Sequence, residues 1–347
     1  MTHDYPFRNL VFQGGGVRTF VYHGALAVLE ERGILPNIQR VAGASAGAML
    51  AAAVSFRLSV AETLALYQTL DMSKVPQIVN AEEMALPEWL PKAERVKREL
   101  ARLSGASDAV SRLVRRYGWY SSDYSYNWML RVIAEQCGGN GLATFAEFRA
   151  RGWRDLSVVA TNISKHRVEV FSAESTPHVA VADALLMSQS LPLFFEPVQF
   201  DGRQIGQGDY YADGGLVLNY PLELFDHIAD VYDSRHFVAG INWETLGCRH
   251  YQPDGDEKPG RPITNVITYM ENLAELLVQA QAMAHEHDHA NQQRTININR
   301  LGVATTDFSI APRPDNAMYQ RLTAEGRKSA ESFLDAWRPP FAPHSLA

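Results

Sequence analysis

Ser45 stands at the centre of Gly43-Ala44-Ser45-Ala46-Gly47, between the strand-like Arg40-Val41-Ala42 and the helix-forming run Ala48 to Val54. A serine on such a strand-to-helix corner is held on a sharp turn, and the flanking glycines let the chain bend and its neighbours approach. Its hydroxyl then lies at the positive end of a helix, where developing negative charge is stabilised. That is a setting for nucleophilic attack on a carbonyl. Two further groups suit the same reaction. Gly14-Gly15-Gly16-Val17-Arg18 is a glycine run between a strand and a helix, where successive backbone N–H groups can converge on an anion. It reads equally as a tight turn. Its spacing is not that of a Gly-x-x-x-x-Gly-Lys phosphate loop, and next to a nucleophile it fits an oxyanion hole. Asp213-Gly214-Gly215 follows Tyr210-Tyr211-Ala212. Asp-Gly ordinarily marks a turn, and a carboxylate with a pKa of about 3.9 is a weak base. Burial would raise that value, and a direct hydrogen bond to the serine would let proton transfer accompany attack.

These groups need elements to hold them. Asn9 to Gln13 reads as a short buried strand, Thr19 to Arg32 as a helix stopped by Gly33, and Gln39 to Ala42 as a second strand leading to Ser45. Strand, glycine loop, helix, strand, turn, helix is the rhythm of an α/β domain with a largely parallel sheet. Between residues 74 and 126 the rhythm changes. Pro76, Pro87, Pro91 and a series of Lys and Arg predict short helices outside the main sheet. Leu156 to Ala173 predicts two strands around Ser164-Lys165-His166, and Val179 to Ser190 a helix. Tyr210 to Gly215 reads as a strand entering a loop, and His236 to Asn242 as another strand. Thr264 to Gln293 reads as a long helix, Thr295 to Asn299 as a strand and Ala317 to Trp337 as a helix. With no internal repeat and no low-complexity linker, residues 1–347 are expected to form one elaborated domain.

Composition narrows the class. Hydrophobic residues make up 46% and charged residues 20%, ordinary for a globular protein, and a net charge of −7 gives no reason to expect nucleic-acid binding. Cys137 and Cys248 are too far apart and too few for a disulfide framework or a metal site. The polar N-terminus carries no recognisable signal peptide. The longest apolar stretch, Val41 to Phe56, is too short and too rich in small residues to span a bilayer. The expectation is a cytoplasmic protein that touches membranes only peripherally, with export without a cleavable signal left open. Oligomeric state has no signature in the sequence.

GGGVR, GASAG and DGG, in that order, resemble the patatin-like phospholipases. The likeness extends to Tyr117-Gly118-Trp119-Tyr120-Ser121-Ser122, to Leu142–Phe148, and to Val181–Ala184 with Ser188–Phe195. It runs in register from about Leu10 to Pro221, and more faintly over Thr305–Phe308. The resemblance implies a three-layer α/β/α fold with a largely parallel central sheet, a variable helical insertion near 74–126 and a C-terminal extension near 264–337. It implies a Ser-Asp dyad of Ser45 as nucleophile and Asp213 as general base. Gly14, Gly15 and Gly16, with the Ala46 amide, would form the oxyanion hole, and Arg18 would support that loop. The implied activity is calcium-independent hydrolysis of fatty-acyl esters of membrane lipids, with no cofactor and no metal. Leu191 stands where isoleucine is usual in the family.

Other chemistries compete. A Ser-His-Asp esterase would draw its base from His227, His236, His250 or the 285–289 cluster. His285-Glu286-His287-Asp288-His289 formally matches His-Glu-x-x-His, whose two histidines share a helix face and can bind zinc, although no third ligand is placed. The same run also reads as a solvated helix end. A catalytically silent lipid-binding protein is a third reading. The basic residues from Lys92 to Arg116, with Trp89, Trp119 and Tyr120 nearby, read either as a solvated face or as a surface for anionic lipid.

Overall fold

A computed structural model describes residues 5–76, 113, 115–253, 262–264, 269, 272–273, 276 and 289–339. Its centre is a mixed sheet of β1 (Asn9–Phe12), β2 (Arg40–Ala44), β4 (Asp155–Asn162), β5 (Arg167–Ser172), β7 (Val198–Phe200), β8 (Asp209–Asp213), β11 (Thr245–Tyr251) and β12 (Thr295–Asn299). The path runs β12-β11-β1-β2-β4-β8-β7, with β5 on β4. β12, β11, β1, β2 and β4 are mutually parallel, whereas β5, β7 and β8 run antiparallel to their neighbours.

Period-two alternation gives β1 and β2 two buried faces. Leu10, Phe12 and Val41 enter the main core, while Val11 and Ala42 pack on the other side with Tyr220, Leu222 and Phe225. Each buried Val, Leu or Phe side chain among them contributes roughly 1.5–3 kcal/mol. Helices flank the sheet: α1 (Val21–Glu31), α2 (Ala46–Ser55), α3 (Val60–Gln68), α4 (Asp123–Gln136), α5 (Phe145–Ala150), α6 (Val181–Gln189), α7 (His289–Gln293) and α8 (Ala317–Ala336). The result is a three-layer α/β/α architecture, as the sequence predicts.

Alanine-rich α2 forms readily and is buried along most of its length, packed on β1, β2 and β4. Buried Arg154 closes its far end, donating Nη1 to Val54 O at 2.7 Å, Nη2 to Leu35 O at 2.8 Å and Nε to Ile38 O at 3.1 Å. Val54 O and Leu35 O also accept the backbone N–H groups of Arg57 and Ile38, so the guanidinium adds a second, charged donor to each and supplies one to Ile38 O. α3 and α5 each begin with a capping box, Ser59 with Glu62 and Thr144 with Glu147.

Several elements differ from the sequence reading. The single strand expected at His236–Asn242 is a hairpin of β9 (Phe237–Val238) and β10 (Ile241–Asn242). Ala239 and Gly240 both take positive φ, 54° and 80°, and turn the chain there. Next to it lies β11, a central strand the sequence reading passed over. Its Gly247 and Arg249 interrupt the apolar run that usually announces a buried parallel strand. β3 (Gly118–Tyr120) and β6 (Leu193–Phe195) form a separate parallel pair, and Trp119 is buried in it rather than presented to a lipid surface. The expected helix over 264–293 and the basic run over 92–116 fall mostly outside the described residues. Among those residues, no helix is long and apolar enough to cross a membrane.

Candidate active site

Two strand ends meet on one edge of β4. β2 runs parallel to β4, with Ala44 opposite Val159; the next β4 residue, Ala160, lies opposite Asp213, the last residue of antiparallel β8. β5 occupies the other edge of β4 over the same residues. The carboxyl ends of β2 and β8 therefore point at each other. The residue after Ala44 is Ser45, and its Oγ donates to Asp213 Oδ2 at 2.5 Å across 168 residues of sequence.

Ser45 turns the chain from β2 into α2 with φ 54° and ψ −132°, a conformation a side chain adopts only under strain. Its backbone N–H donates to Ser188 Oγ at 2.8 Å, and the same hydroxyl donates to Val159 O at 2.6 Å. α6 and β4 together thus lock the turn. Gly47 lets α2 start close to β1: a Cβ there would lie 2.6 Å from both Phe12 O and Gln13 O. The first N–H groups of α2 have no intrahelical acceptor and sit beside Ser45.

Asp213 is 2% exposed. Burial raises its pKa from the usual 3.8 to about 7, with the Ser45 hydroxyl and the Gly215 N–H opposing that rise. The Gly215 N–H donates to Oδ1 at 2.6 Å, leaving Oδ2 directed at the serine. Neither carboxylate oxygen is hydrogen-bonded to a histidine among the described residues.

The glycine loop lies beside Ser45 and Asp213. The Gly14 N–H donates to Asn219 O at 3.0 Å, so it is already engaged. The N–H groups of Gly15 and Gly16 have no acceptor among the described residues, and both glycines line the cleft with Ser45. Gly16 takes φ +56°, and a Cβ there would meet Thr305 O at 2.2 Å. Arg18 is buried and donates Nε to Val303 O at 2.8 Å, tying the loop to the segment before Thr305. The cleft encloses about 810 Å³ including its open mouth. Met49, Leu70, Met72, Leu191, Phe194 and Phe308 make its walls largely apolar.

Of the histidines weighed as bases, His227 and His236 lie away from this cleft, and His236 Nδ1 is 3.0 Å from Glu244 Oε1. His250 approaches the glycine loop, with Nε2 3.0 Å from Gly14 O. His285 to Asp288 lie outside the described residues; His289 lies in α7, with Nε2 3.2 Å from Gln293 Nε2. The described residues contain no cluster of three or more His, Cys, Asp or Glu able to hold a metal ion. Ser188 and Asn219 were not singled out as site residues from sequence, and His250 was weighed only as a base, not as a neighbour of the glycine loop. Asn219 carries a faint signal, six residues after Asp213, and the place of His250 beside the glycine loop carries none, because only the pairing of β11 with β1 brings it near.

The family model for patatin-like phospholipase matches residues 10–226. The chain belongs to the patatin-like phospholipase family. This bears out the resemblance carried by the three motifs, and with it the expectation of a lipid acyl hydrolase. Among relatives, it is 27% identical over 267 residues to uncharacterized protein R571 of Acanthamoeba polyphaga mimivirus, covering 77% of this chain and 74% of that one. It is 26% identical over 337 residues to uncharacterized protein YqhO of Bacillus subtilis (strain 168), covering 94% and 98%. The solved structure of VipD from Legionella pneumophila superposes with a TM-score of 0.55 at 19% identity, covering 95% of this chain and 67% of that one. At that identity the likeness speaks to the fold alone.

Proposed function

We propose that this patatin-like protein hydrolyses fatty-acyl esters of membrane lipids through a Ser45–Asp213 dyad, without a histidine. The observation that carries the reading is the 2.5 Å hydrogen bond from Ser45 Oγ to a buried carboxylate whose pKa burial raises to about 7. A base poised near neutrality can take a proton at physiological pH and return it. Ser45 Oγ attacks the ester carbonyl as its proton passes to Asp213 Oδ2. The tetrahedral oxyanion is held by the N–H groups of Gly15 and Gly16 and of Ala46 at the start of α2. Gly14, its own N–H engaged by Asn219, shapes the loop, and Arg18 braces it from behind. Collapse breaks the carbonyl–alkoxy bond, and Asp213 returns the proton to the departing alcohol. Water, deprotonated by Asp213, then attacks the acyl-serine, and Asp213 returns that proton to Ser45 Oγ as the Ser45 ester bond breaks and the fatty acid is released. The apolar cleft accepts the acyl chain, and the head group remains at its mouth against the membrane surface. We read the chain as one domain, since strands from Asn9 to Asn299 share one sheet.

Fluorophosphonate labelling tests the dyad. Ser45→Ala and Asp213→Asn are expected to abolish labelling and the release of fatty acid from phosphatidylcholine vesicles, while His227→Ala and His236→Gln keep both. A folded Asp213→Asn protein that labels at the wild-type rate, or a dependence on His227 or His236, overturns the reading.

A further inference from the structure

We propose that His250 and Asn219 are positioning residues that grip the Gly14–Gly15 peptide from behind and thereby aim the Gly15 N–H at the oxyanion. The proposal rests on the reading of Ser45 as an acyl-transfer nucleophile. Gly14 O accepts from Asn219 Nδ2 at 3.2 Å and lies 3.0 Å from His250 Nε2. A carbonyl oxygen only accepts, so Nε2 carries the proton in this contact. The Gly14 N–H meanwhile donates to the Asn219 backbone carbonyl, so Asn219 holds both polar groups of that glycine. Both side chains are buried, Asn219 at 2% exposure and His250 at 6%.

A planar trans peptide sets its C=O and N–H in opposite directions. Fixing the Gly14 carbonyl against His250 and Asn219 therefore directs the Gly15 N–H the other way, toward the cleft that Gly15 lines. Donors on the carbonyl also polarise the peptide and strengthen that N–H as a donor. His250 is itself held: its backbone N–H donates to Gln13 Oε1 at 3.2 Å, and its ring stacks on Tyr22 with centroids 6.3 Å apart. Gly15 and the ring are fitted to each other, since a Cβ on Gly15 would lie 2.0 Å from Nε2. β11 delivers the histidine and β1 the glycine loop, and these strands are adjacent in the sheet.

An aimed oxyanion donor acts on the transition state rather than on substrate binding, so its loss falls on kcat. The test measures p-nitrophenyl butyrate hydrolysis and inhibition by an alkyl trifluoromethyl ketone in wild type, His250→Phe, His250→Gln and Asn219→Asp. Phenylalanine keeps the ring and removes the donor, and glutamine restores an N–H. For His250→Phe, kcat is expected to fall about 10- to 100-fold with KM within about twofold, and the ketone Ki to rise by the same factor as kcat/KM falls. His250→Gln recovers part of the loss, and Asn219→Asp falls with His250→Phe. Wild-type kcat in folded His250→Phe, or a fallen kcat with unchanged ketone affinity, reduces His250 to a packing residue and overturns the proposal. If His250→Phe does not fold, His250→Gln and Asn219→Asp decide by the same two readouts. A wild-type protein that neither labels with fluorophosphonate nor turns over overturns the Ser45 reading itself, which separates the two failures.

Discussion

Replacing Asp213 by asparagine should make the protein more stable while silencing it, and the gain should depend on pH. Asp213 is buried with one hydroxyl and one N–H as partners. Its pKa rises from 3.8 to about 7 because desolvation outweighs those bonds. A carboxyl whose pKa is higher folded than unfolded binds more protons in the folded state between those values. Folding stability from this group is therefore full below about pH 4, drains away as pH rises toward 7, and is flat above. The rise in pKa, at about 1.4 kcal/mol per pH unit, corresponds to an upper limit of about 4 kcal/mol. Asparagine keeps an acceptor for Gly215 and carries no charge to desolvate. For a chain of this length the unfolding entropy is roughly 0.7 kcal/mol/K, so Tm of Asp213→Asn should exceed wild type by up to about 6 °C at pH 8. At pH 4 that gain should vanish. The assay is a thermal or urea melt of both proteins at pH 4, 5, 6, 7 and 8, reading only the difference so that other titrating groups cancel. Curves that run parallel across this range would show that Asp213 is not desolvated as argued.

On the dyad reading, the same carboxylate should also set the rate. For a soluble ester, kcat should climb about tenfold per pH unit below about 7 and level above it, following ionisation of Asp213; a flat profile from pH 5 to 8 removes it as the base. Ser188→Ala leaves the Ser45 N–H and Val159 O without their shared hydroxyl, which should cost about 1–3 kcal/mol in a urea melt and lower kcat. Gly47→Ala forces α2 away from β1 and should reduce fluorophosphonate labelling at least tenfold in protein that still folds by circular dichroism. Arg154→Met strips donors from Val54, Leu35 and Ile38 and should cost roughly 3–5 kcal/mol of stability, with KM for a soluble ester unchanged because the residue does not line the cleft.

The chemistry of the site was legible where local sequence encodes it. Ser45 between glycines, the Gly14–Gly16 run and Asp213-Gly214-Gly215 each need particular backbone shapes, and those shapes demand particular residues. β1, β2 and β4 announced themselves through short apolar runs. What escaped was determined by tertiary contact. β11 carries Arg249 and His250 within its strand, and His250 finds its place only through pairing with β1. Engagement of the Gly14 N–H by Asn219 could not be seen from the glycines, because the acceptor is a backbone carbonyl two hundred residues away. Asp213 was expected to need burial to act as a base; the means, a strand end closing on another strand end, lies in the register of β4 rather than in any motif.

That end-to-end junction has a consequence for the order in which the chain is made. The Ser45 turn, with β1, β2 and the glycine loop, is synthesised well before β8, which lies more than a hundred residues further along the chain. Asp213, its proton acceptor on the dyad reading, arrives only when β8 docks against the far half of β4. Until then the polypeptide holds a serine with nothing to take its proton. On the dyad reading, synthesis itself works as a safety catch, withholding lipid hydrolysis until the sheet has closed from both directions.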